Sequence, residues 1–202
     1  MIRNVVFDMG GVLIDYDPEK TLYGLFDAPT AQLLLREIFR NPIWGEKDRG
    51  TVTPAEILAQ KRAVIPPAHY DRVAAMVENY YPYMPPFPEP EALARRLKAN
   101  GYGVYLLSNA SIDFFERKDG IPALQWFDGF LISAEVLHIK PEPEIYQAFF
   151  ERFSLQPETC FFIDDMQANI DGAARCGMRG FCHDHTRFDA LLQALQCAGV
   201  TL

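Results

Sequence analysis

The 202-residue sequence predicts an α/β fold: a doubly wound parallel sheet with a small helical unit inserted after the first strand. Three observations carry that expectation. Short apolar runs of strand length alternate with longer stretches of helical periodicity. Polar residues stand directly after three of those runs: Asp8, then Ser108-Asn109, then Asp164-Asp165. One long segment, 16 to about 87, contains no strand-like run.

In chain order, residues 2–7 (I-R-N-V-V-F) read as the first strand, running into Asp8. The segment that follows is helical over 30–40, 53–64 and 68–81. Thr53 is placed to cap its helix, with Pro54 at the first helical position. Residues 80–91 (Y-Y-P-Y-M-P-P-F-P-E-P-E) hold too many prolines to continue a helix and read as a stiff return linker. The division expected is therefore a core of 1–15 plus 88–202 and a helical cap of 16–87. Residues 90–100 form a helix ending at Gly101, and 104–107 and 130–132 are strands. Residues 142–153 are helical and 160–163 form a strand. Residues 168–176 form a helix ending at Gly177, and 180–183 complete the sheet.

Composition narrows the function classes. Hydrophobic residues make up 49% and charged residues 23%, which excludes extensive disorder. Lys and Arg total 19 against 27 Asp and Glu, a net charge of −8, so a nucleic acid is a poor default partner. A small anion can still bind where a pocket supplies local positive charge. No apolar run of about 18 residues exists, so no membrane span is expected. The apolar run 5–7 is broken at once by Asp8, unlike a signal peptide. Cys160, Cys176, Cys182 and Cys197 form no C-x-x-C pair and read as reduced thiols, with a cytoplasmic location expected. The chain is expected to be a monomer or weak homodimer.

Ligands of an open parallel sheet bind outside the carboxyl ends of its strands. Asp8, Asp164 and Asp165 would meet there, and bare carboxylates packed together repel. A divalent cation removes the repulsion, and an all-oxygen set points to Mg2+. A single aspartate after a strand is often only a turn residue; three of them beside a Ser-Asn pair make a site the better account. Lys140, before the rigid Pro141-Glu142-Pro143, could add a fixed positive charge.

Four ordered segments strengthen this reading: 7–15 (F-D-M-G-G-V-L-I-D), 106–110 (L-L-S-N-A), 140–146 (K-P-E-P-E-I-Y) and 161–169 (F-F-I-D-D-M-Q-A-N). Together they resemble the four motifs of the haloacid dehalogenase superfamily, in its phosphatase branch, and the helical insertion resembles that family's class-1 cap. The D-x-G first motif is similar to that of α-D-glucose-1-phosphate phosphatase-like members. The resemblance implies roles. Asp8 would attack phosphorus to form an aspartyl-phosphate. Asp8, the Gly10 carbonyl and Asp165 would ligate Mg2+, with Asp164 and Asn169 orienting ligands or bound waters. Ser108, Asn109 and Gly11 would contact the phosphoryl group, and Lys140 would neutralise its charge.

The chain also departs from the pattern. Gly10 stands where most phosphatases of the family carry an aspartate as general acid and base. Asp15 or Asp17 could replace it, although both also suit turn or capping roles. Leu137 stands where relatives often have glycine. The implied activity is a Mg2+-dependent phosphatase for a small phosphorylated metabolite, a sugar phosphate being one candidate. A sugar phosphomutase-type phosphotransferase and a catalytically weak binding or regulatory protein are the alternatives. Dehalogenation is disfavoured, since Asp164-Asp165 argues for metal. Residues 44–50 (W-G-E-K-D-R-G) read as a loop between cap helices. There Glu46 or Arg49 would contact the leaving group, or the segment would only connect helices with Trp44 in the cap core. His183-Asp184-His185 reads as a turn. Tyr80, Tyr81, Tyr83 and Phe87 read as packing between cap and core.

Overall fold

The computed structural model describes residues 1–202. Its strands are β1 (Asn4–Phe7), β2 (Gly103–Ser108), β3 (Gly129–Ile132), β4 (Cys160–Asp164) and β5 (Arg179–Cys182). All pair in parallel, in the order β3-β2-β1-β4-β5. The chain therefore winds outward from β1 to one edge and returns to build the other. The switch point lies between β1 and β4, where an open α/β sheet presents its crevice. Register sets what meets there. Phe7 pairs with both Ile163 and Leu106, so Asp8 leaves the sheet level with Asp164 and one residue short of Ser108.

The strands are apolar on both faces because both faces are covered. Alternate side chains diverge. Val5, Phe7, Leu106 and Ile163 enter one cluster, while Val6, Leu107 and Phe162 enter another.

The helices are α1 (Pro18–Leu25), α2 (Ala28–Leu34), α3 (Pro42–Arg49), α4 (Pro54–Lys61), α5 (Tyr70–Glu78), α6 (Glu89–Ala99), α7 (Phe114–Arg117), α8 (Ser133–Val136), α9 (Pro143–Phe153), α10 (Gln167–Arg175) and α11 (Phe188–Cys197). Leu93 and Leu97 of α6 and Leu191 and Leu195 of α11 pack in the first cluster. Ile145 and Phe149 of α9 and Ile170 and Ala173 of α10 pack in the second.

Helices α1 to α5 enclose a third, separate cluster that includes Leu22, Leu34, Ile38, Ile57 and Met76. Four of them start on side-chain caps: Asp17, Asp27, Asn41 and Thr53 each accept a backbone N–H, and a proline sits in every one of those first turns. Thr53 and Glu56 form a reciprocal capping box. The predicted helix 30–40 begins earlier, at Ala28, and ends in a π-helical turn, Leu35–Phe39. Two strands of linker join the unit to the sheet. The Asp15 N–H donates to the Pro85 carbonyl at 2.9 Å and the Phe87 N–H donates to the Leu13 carbonyl at 2.9 Å.

Five helices differ from the sequence reading. Residues 44–49 belong to α3 instead of a loop. Asn41 caps it by accepting from the Ile43 N–H, and Gly50 stops it at φ 85°. Trp44 is buried in the helical unit's cluster, as the connecting alternative had it. Helices α1, α7, α8 and α11 lie outside the segments read as helical. The expected aromatic cluster divides. Tyr80 packs on Tyr16, Phe39, Trp44 and Tyr83, while Phe87 stacks on His185 of the core. Asp184 caps a 3-10 turn, His185–Arg187, by accepting from the Thr186 N–H, so the turn expected over 183–185 lies at 185–187. No helix is long and apolar enough to cross a membrane, and all four cysteines are free.

Candidate active site

Asp8 emerges from β1 buried, and Lys140 meets it there. The ammonium stands 2.7 Å from Asp8 Oδ1 and 2.7 Å from Asp164 Oδ2, and it donates to the Leu107 carbonyl at 3.0 Å. All three ammonium protons are thus placed. Burial alone would discharge Lys140, but the Asp164 and Asp8 carboxylates outweigh it and hold the pKa above its ordinary value. The lysine is carried by a clamped backbone. Asn109 Oδ1 accepts from the Lys140 N–H at 2.8 Å, and Asn109 Nδ2 donates to the Lys140 carbonyl at 3.0 Å. Asn109 therefore spends its side chain on positioning Lys140. The Lys140-Pro141 peptide is cis.

Asp164 is equally saturated. Its Oδ1 accepts from the Met166 N–H at 2.8 Å and from Asn169 at 2.9 Å; its Oδ2 accepts from Lys140 and from Asn169 at 3.0 Å. Asn169 is fixed in turn, because the Tyr146 hydroxyl donates to its carbonyl at 2.7 Å.

Carboxylate oxygens of Asp8, Asp164 and Asp165 lie within 4.8 Å of one another. Three carboxylates against one ammonium leave excess negative charge. Burial pushes the Asp8 carboxyl up to about 7 against the pull of Lys140, with Asp164 and Asp165 adding to the rise. Asp165 is raised by burial and by Asp164. A hard divalent cation answers that excess, and the donors fit one. Asp164 is consumed by protein donors, which leaves Asp8 and Asp165 as the carboxylates with free oxygens. Gly11, at φ 68°, lies so close that a Cβ there would fall 2.5 Å from Asp165 Oδ2. Gly11 does not line the cavity; it makes room for Asp165.

Over this cluster lies a cavity of about 410 Å³. Its floor includes Asp8, Gly10, Ser108, Lys140, Asp165 and Asn169. Its far wall comes from the helical unit, chiefly Phe39, Trp44, Lys47 and Asp48, with Tyr16 and Tyr81 from the connections. Lys47 is buried, donates to the Ser111 hydroxyl at 2.9 Å and lies 4.7 Å from the centre of the Trp44 ring.

Two sequence expectations need correction here. Glu46 and Arg49 do not line the cavity. Glu46 accepts from the Thr51 hydroxyl at 2.6 Å, and Arg49 forms a bidentate pair with Glu142 at 2.8 and 2.6 Å. The helical period turns Lys47 and Asp48 to the cavity instead, which a loop reading of 44–50 could not reveal. Asp15 and Asp17 also lie outside it: Asp15 pairs with Lys20 at 2.8 Å, and Asp17 caps α1. No proton donor for the site comes from either.

Comparison with known proteins follows the same line. Residues 2–177 match the sequence profile of the haloacid dehalogenase-like hydrolases. The chain is 28% identical over 200 residues to the D-ribitol-5-phosphate phosphatase of Bacteroides thetaiotaomicron, covering 90% of this chain and 91% of that one. It is 27% identical over 179 residues to the sesquiterpene phosphatase of Aspergillus oryzae, covering 88% of each. Among solved structures, a haloacid dehalogenase-family enzyme of Bacteroides thetaiotaomicron in complex with magnesium and inorganic phosphate superposes with a TM-score of 0.71, at 26% identity, covering 90% of this chain and 93% of that one.

Proposed function

Since the chain belongs to the haloacid dehalogenase-like hydrolase family and is a phosphatase-type hydrolase, we propose that it hydrolyses a small phosphorylated metabolite with Mg2+ through an aspartyl-phosphate on Asp8. The observation that carries this reading is one buried carboxylate, Asp8, held at 2.7 Å by Lys140 beside two further aspartates at a strand-end crevice.

Asp8 and Asp165 would hold the cation, with the Gly10 carbonyl beside them. The ion would supply charge neutralisation for a phosphoryl group and for the facing carboxylates. Lys140 orients the Asp8 carboxylate and adds positive charge where negative charge gathers on the phosphoryl oxygens. Ser108, buried at the end of β2 and lining the cavity, would donate to a phosphoryl oxygen. Asn109 acts one step back, by fixing Lys140. We propose the helical unit, 16–87, as a cap whose wall contacts the organic part of the substrate and excludes water. That wall joins aromatic surface from Trp44 and Phe39 to charged groups at Lys47 and Asp48, which suits an organic group carrying both carbon and hydroxyl surface. The relatives' named substrates, a sesquiterpene and a ribitol phosphate, span that range.

Purified protein with p-nitrophenyl phosphate and Mg2+ tests the reading. Release of p-nitrophenol is expected, abolished by excess EDTA and restored by Mg2+. Asp8→Asn should lower turnover by about 10⁴-fold or more with the fold retained by circular dichroism. Full activity in EDTA removes the metal from the reading, and wild-type turnover in Asp8→Asn removes the nucleophile.

A further inference from the structure

Breaking an unactivated phosphate ester leaves an alkoxide, a strong base, unless a proton reaches its oxygen as the P–O bond lengthens. The carboxyl groups near Asp8 divide clearly. Asp164 has every acceptor position taken by Lys140, Asn169 and the Met166 N–H. Asp165 belongs to the cation set. Position 10 carries no side chain, and a Cβ there would meet Tyr16 Cβ at 3.3 Å, so Tyr16 occupies the space beside it. Two carboxyl groups remain in the cavity wall, Asp113 and Asp48. Asp113 accepts from the Ser111 hydroxyl, which itself receives a bond from Lys47. The Asp48 carboxyl takes no hydrogen bond from any protein group.

The position of Asp48 is well held. Three successive residues at the end of α3 are tied to the core. Lys47 donates to Ser111, the Asp48 carbonyl accepts from the Ser133 hydroxyl, and Arg49 pairs with Glu142 at 2.6 Å. Gly50 closes the helix against Ala134, where a Cβ would come within 3.0 Å of the Ala134 carbonyl. A free carboxyl group on a fixed helix end, facing the same cavity as the nucleophile, is preorganised for proton transfer.

We propose that Asp48 is the proton donor and acceptor of this site, a role that rests on the phosphatase reading above. In the first half-reaction an Asp8 oxygen bonds to phosphorus and the P–O bond to the leaving group breaks. That bonding pair goes to the leaving oxygen, which takes the Asp48 proton and departs as an alcohol. In the second, a water oxygen bonds to phosphorus and the Asp8–phosphorus bond breaks. The bonding pair returns to the Asp8 carboxylate, and a water proton returns to Asp48. The net reaction is ester plus water giving alcohol plus inorganic phosphate.

The surroundings suit both halves. Burial pushes the Asp48 carboxyl up to about 7; Lys47 on the same helix opposes the rise and Asp113, after β2, adds to it. The Tyr16 and Tyr81 phenols also face it, and both are pushed up by burial and in part by Asp48 itself. Its place in the last turn of α3 adds the unfavourable end of the helix dipole for an anion. A group near 7 is poised to give and to take a proton at neutral pH.

The experiment compares esters whose leaving groups differ in need for a proton. p-Nitrophenyl phosphate needs almost none; an alkyl monoester such as glycerol 2-phosphate needs one. In Asp48→Asn, kcat/KM on the alkyl ester should fall about 10²–10³-fold more than kcat/KM on p-nitrophenyl phosphate, which reads only the first half-reaction. Wild-type kcat/KM on the alkyl ester should decline as pH rises through about 7, and that limb should be absent for p-nitrophenyl phosphate. Asp48→Glu should recover part of the alkyl activity. Equal losses on both esters, no loss on either, or coincident wild-type pH profiles overturn the role of Asp48 and leave the phosphatase reading intact. A wild-type protein inert on both esters with Mg2+ overturns both. The wild-type profiles decide the matter even if the variants do not fold.

Discussion

The two walls of the cavity are built by different physics. On the floor, every polar group of Asp164 and Lys140 has its partners, and these come from three strand ends and α10. On the far wall, Lys47 holds one hydroxyl and Asp48 holds none with its carboxyl, and Arg49, which ties that helix end from outside the cavity, is partly solvated at 21% side-chain exposure. The floor is over-determined: removing one member leaves another charge buried and unpaired. The wall is tuned by burial and by a few ties that solvent can replace. On the proposed function, chemistry common to all substrates would belong on the first, and selectivity and proton handling on the second.

The sharpest way to break this comparison lies between two adjacent residues. Asp164→Ala orphans Asn169 and leaves Lys140 with Asp8 alone, so it should cost about 3 kcal/mol of folding stability. Asp165→Ala removes a carboxylate whose pKa is raised by burial and by Asp164, so the metal-free protein should keep its stability or gain slightly. The metal response should invert. Wild-type and any folded Asp164→Ala protein should be stabilised by Mg2+, and Asp165→Ala should lose most of that gain. Chemical denaturation with Mg2+ and with EDTA reads all four quantities. Equal destabilisation in the two variants would erase the distinction between a structural and a liganding aspartate.

The same contrast explains what the sequence revealed. Strand-end chemistry was legible because a parallel sheet brings residues after its apolar runs to one crevice, whatever the details of packing. Asp8, Ser108 and Asp164 follow from that alone. Lys140 was legible through the rigid K-P-E-P segment and its family resemblance; its contact with both aspartates was not, because that depends on where the segment crosses the β2 end. The far-wall segment 44–50 was singled out, but its cavity-facing charges, Lys47 and Asp48, were not. Asn41-Pro42 and Gly50 are sound start and stop signals for α3, but Gly45 and the four charges between them masked its period. With the period lost, Glu46 and Arg49 looked as eligible as Lys47 and Asp48. Helix α11 carries Leu191 and Leu195 at i, i+4 spacing, a signal that was present and not read.

A smaller test concerns the tie between wall and floor. Arg49 donates two hydrogen bonds to Glu142, and that bonding pulls the Glu142 carboxyl down from 4.5 to about 2, against a partial burial that opposes it. Both side chains are partly exposed, so the pair is worth only about 0–1 kcal/mol. Arg49→Ala should therefore lower stability slightly and leave the Mg2+ response unchanged. It should shift KM for the alkyl ester a few-fold, because α3 carries Asp48. A depressed carboxyl pKa stabilises the folded state above the unfolded value and ceases to do so as pH falls through the folded one. The stability gap between wild type and Arg49→Ala should thus be full above pH 4.5 and close as pH falls toward about 2. A gap constant over that range would show that Arg49 acts by packing. Loss of Mg2+ affinity would place Arg49 on the floor.

The smallest expected effect sharpens the comparison from the backbone side. Leu137 ends α8 at φ 60° and ψ 23°, the left-handed region, with its side chain largely exposed. A non-glycine residue there costs roughly 1–2 kcal/mol. Glycine removes that cost but loses more entropy on folding, roughly 0.5–1 kcal/mol. Leu137→Gly should therefore stabilise the protein by about 0.5–1 kcal/mol, raising Tm by roughly 1–4 °C for a chain of this size. The Leu137 carbonyl accepts from Arg49 at 3.3 Å, and the Leu137 N–H donates to the Ser133 carbonyl at 2.9 Å. Both are backbone groups that glycine keeps, so kcat and KM should not move. Leu137→Ala is the control: it keeps the Cβ and the strain, and should bring no gain. A stabilisation equal in the alanine and glycine variants would assign the effect to lost apolar exposure. A fall in stability with a raised KM would mean that the leucine side chain itself holds α8 against the end of α3, and the wall would be more firmly built than its hydrogen bonds suggest.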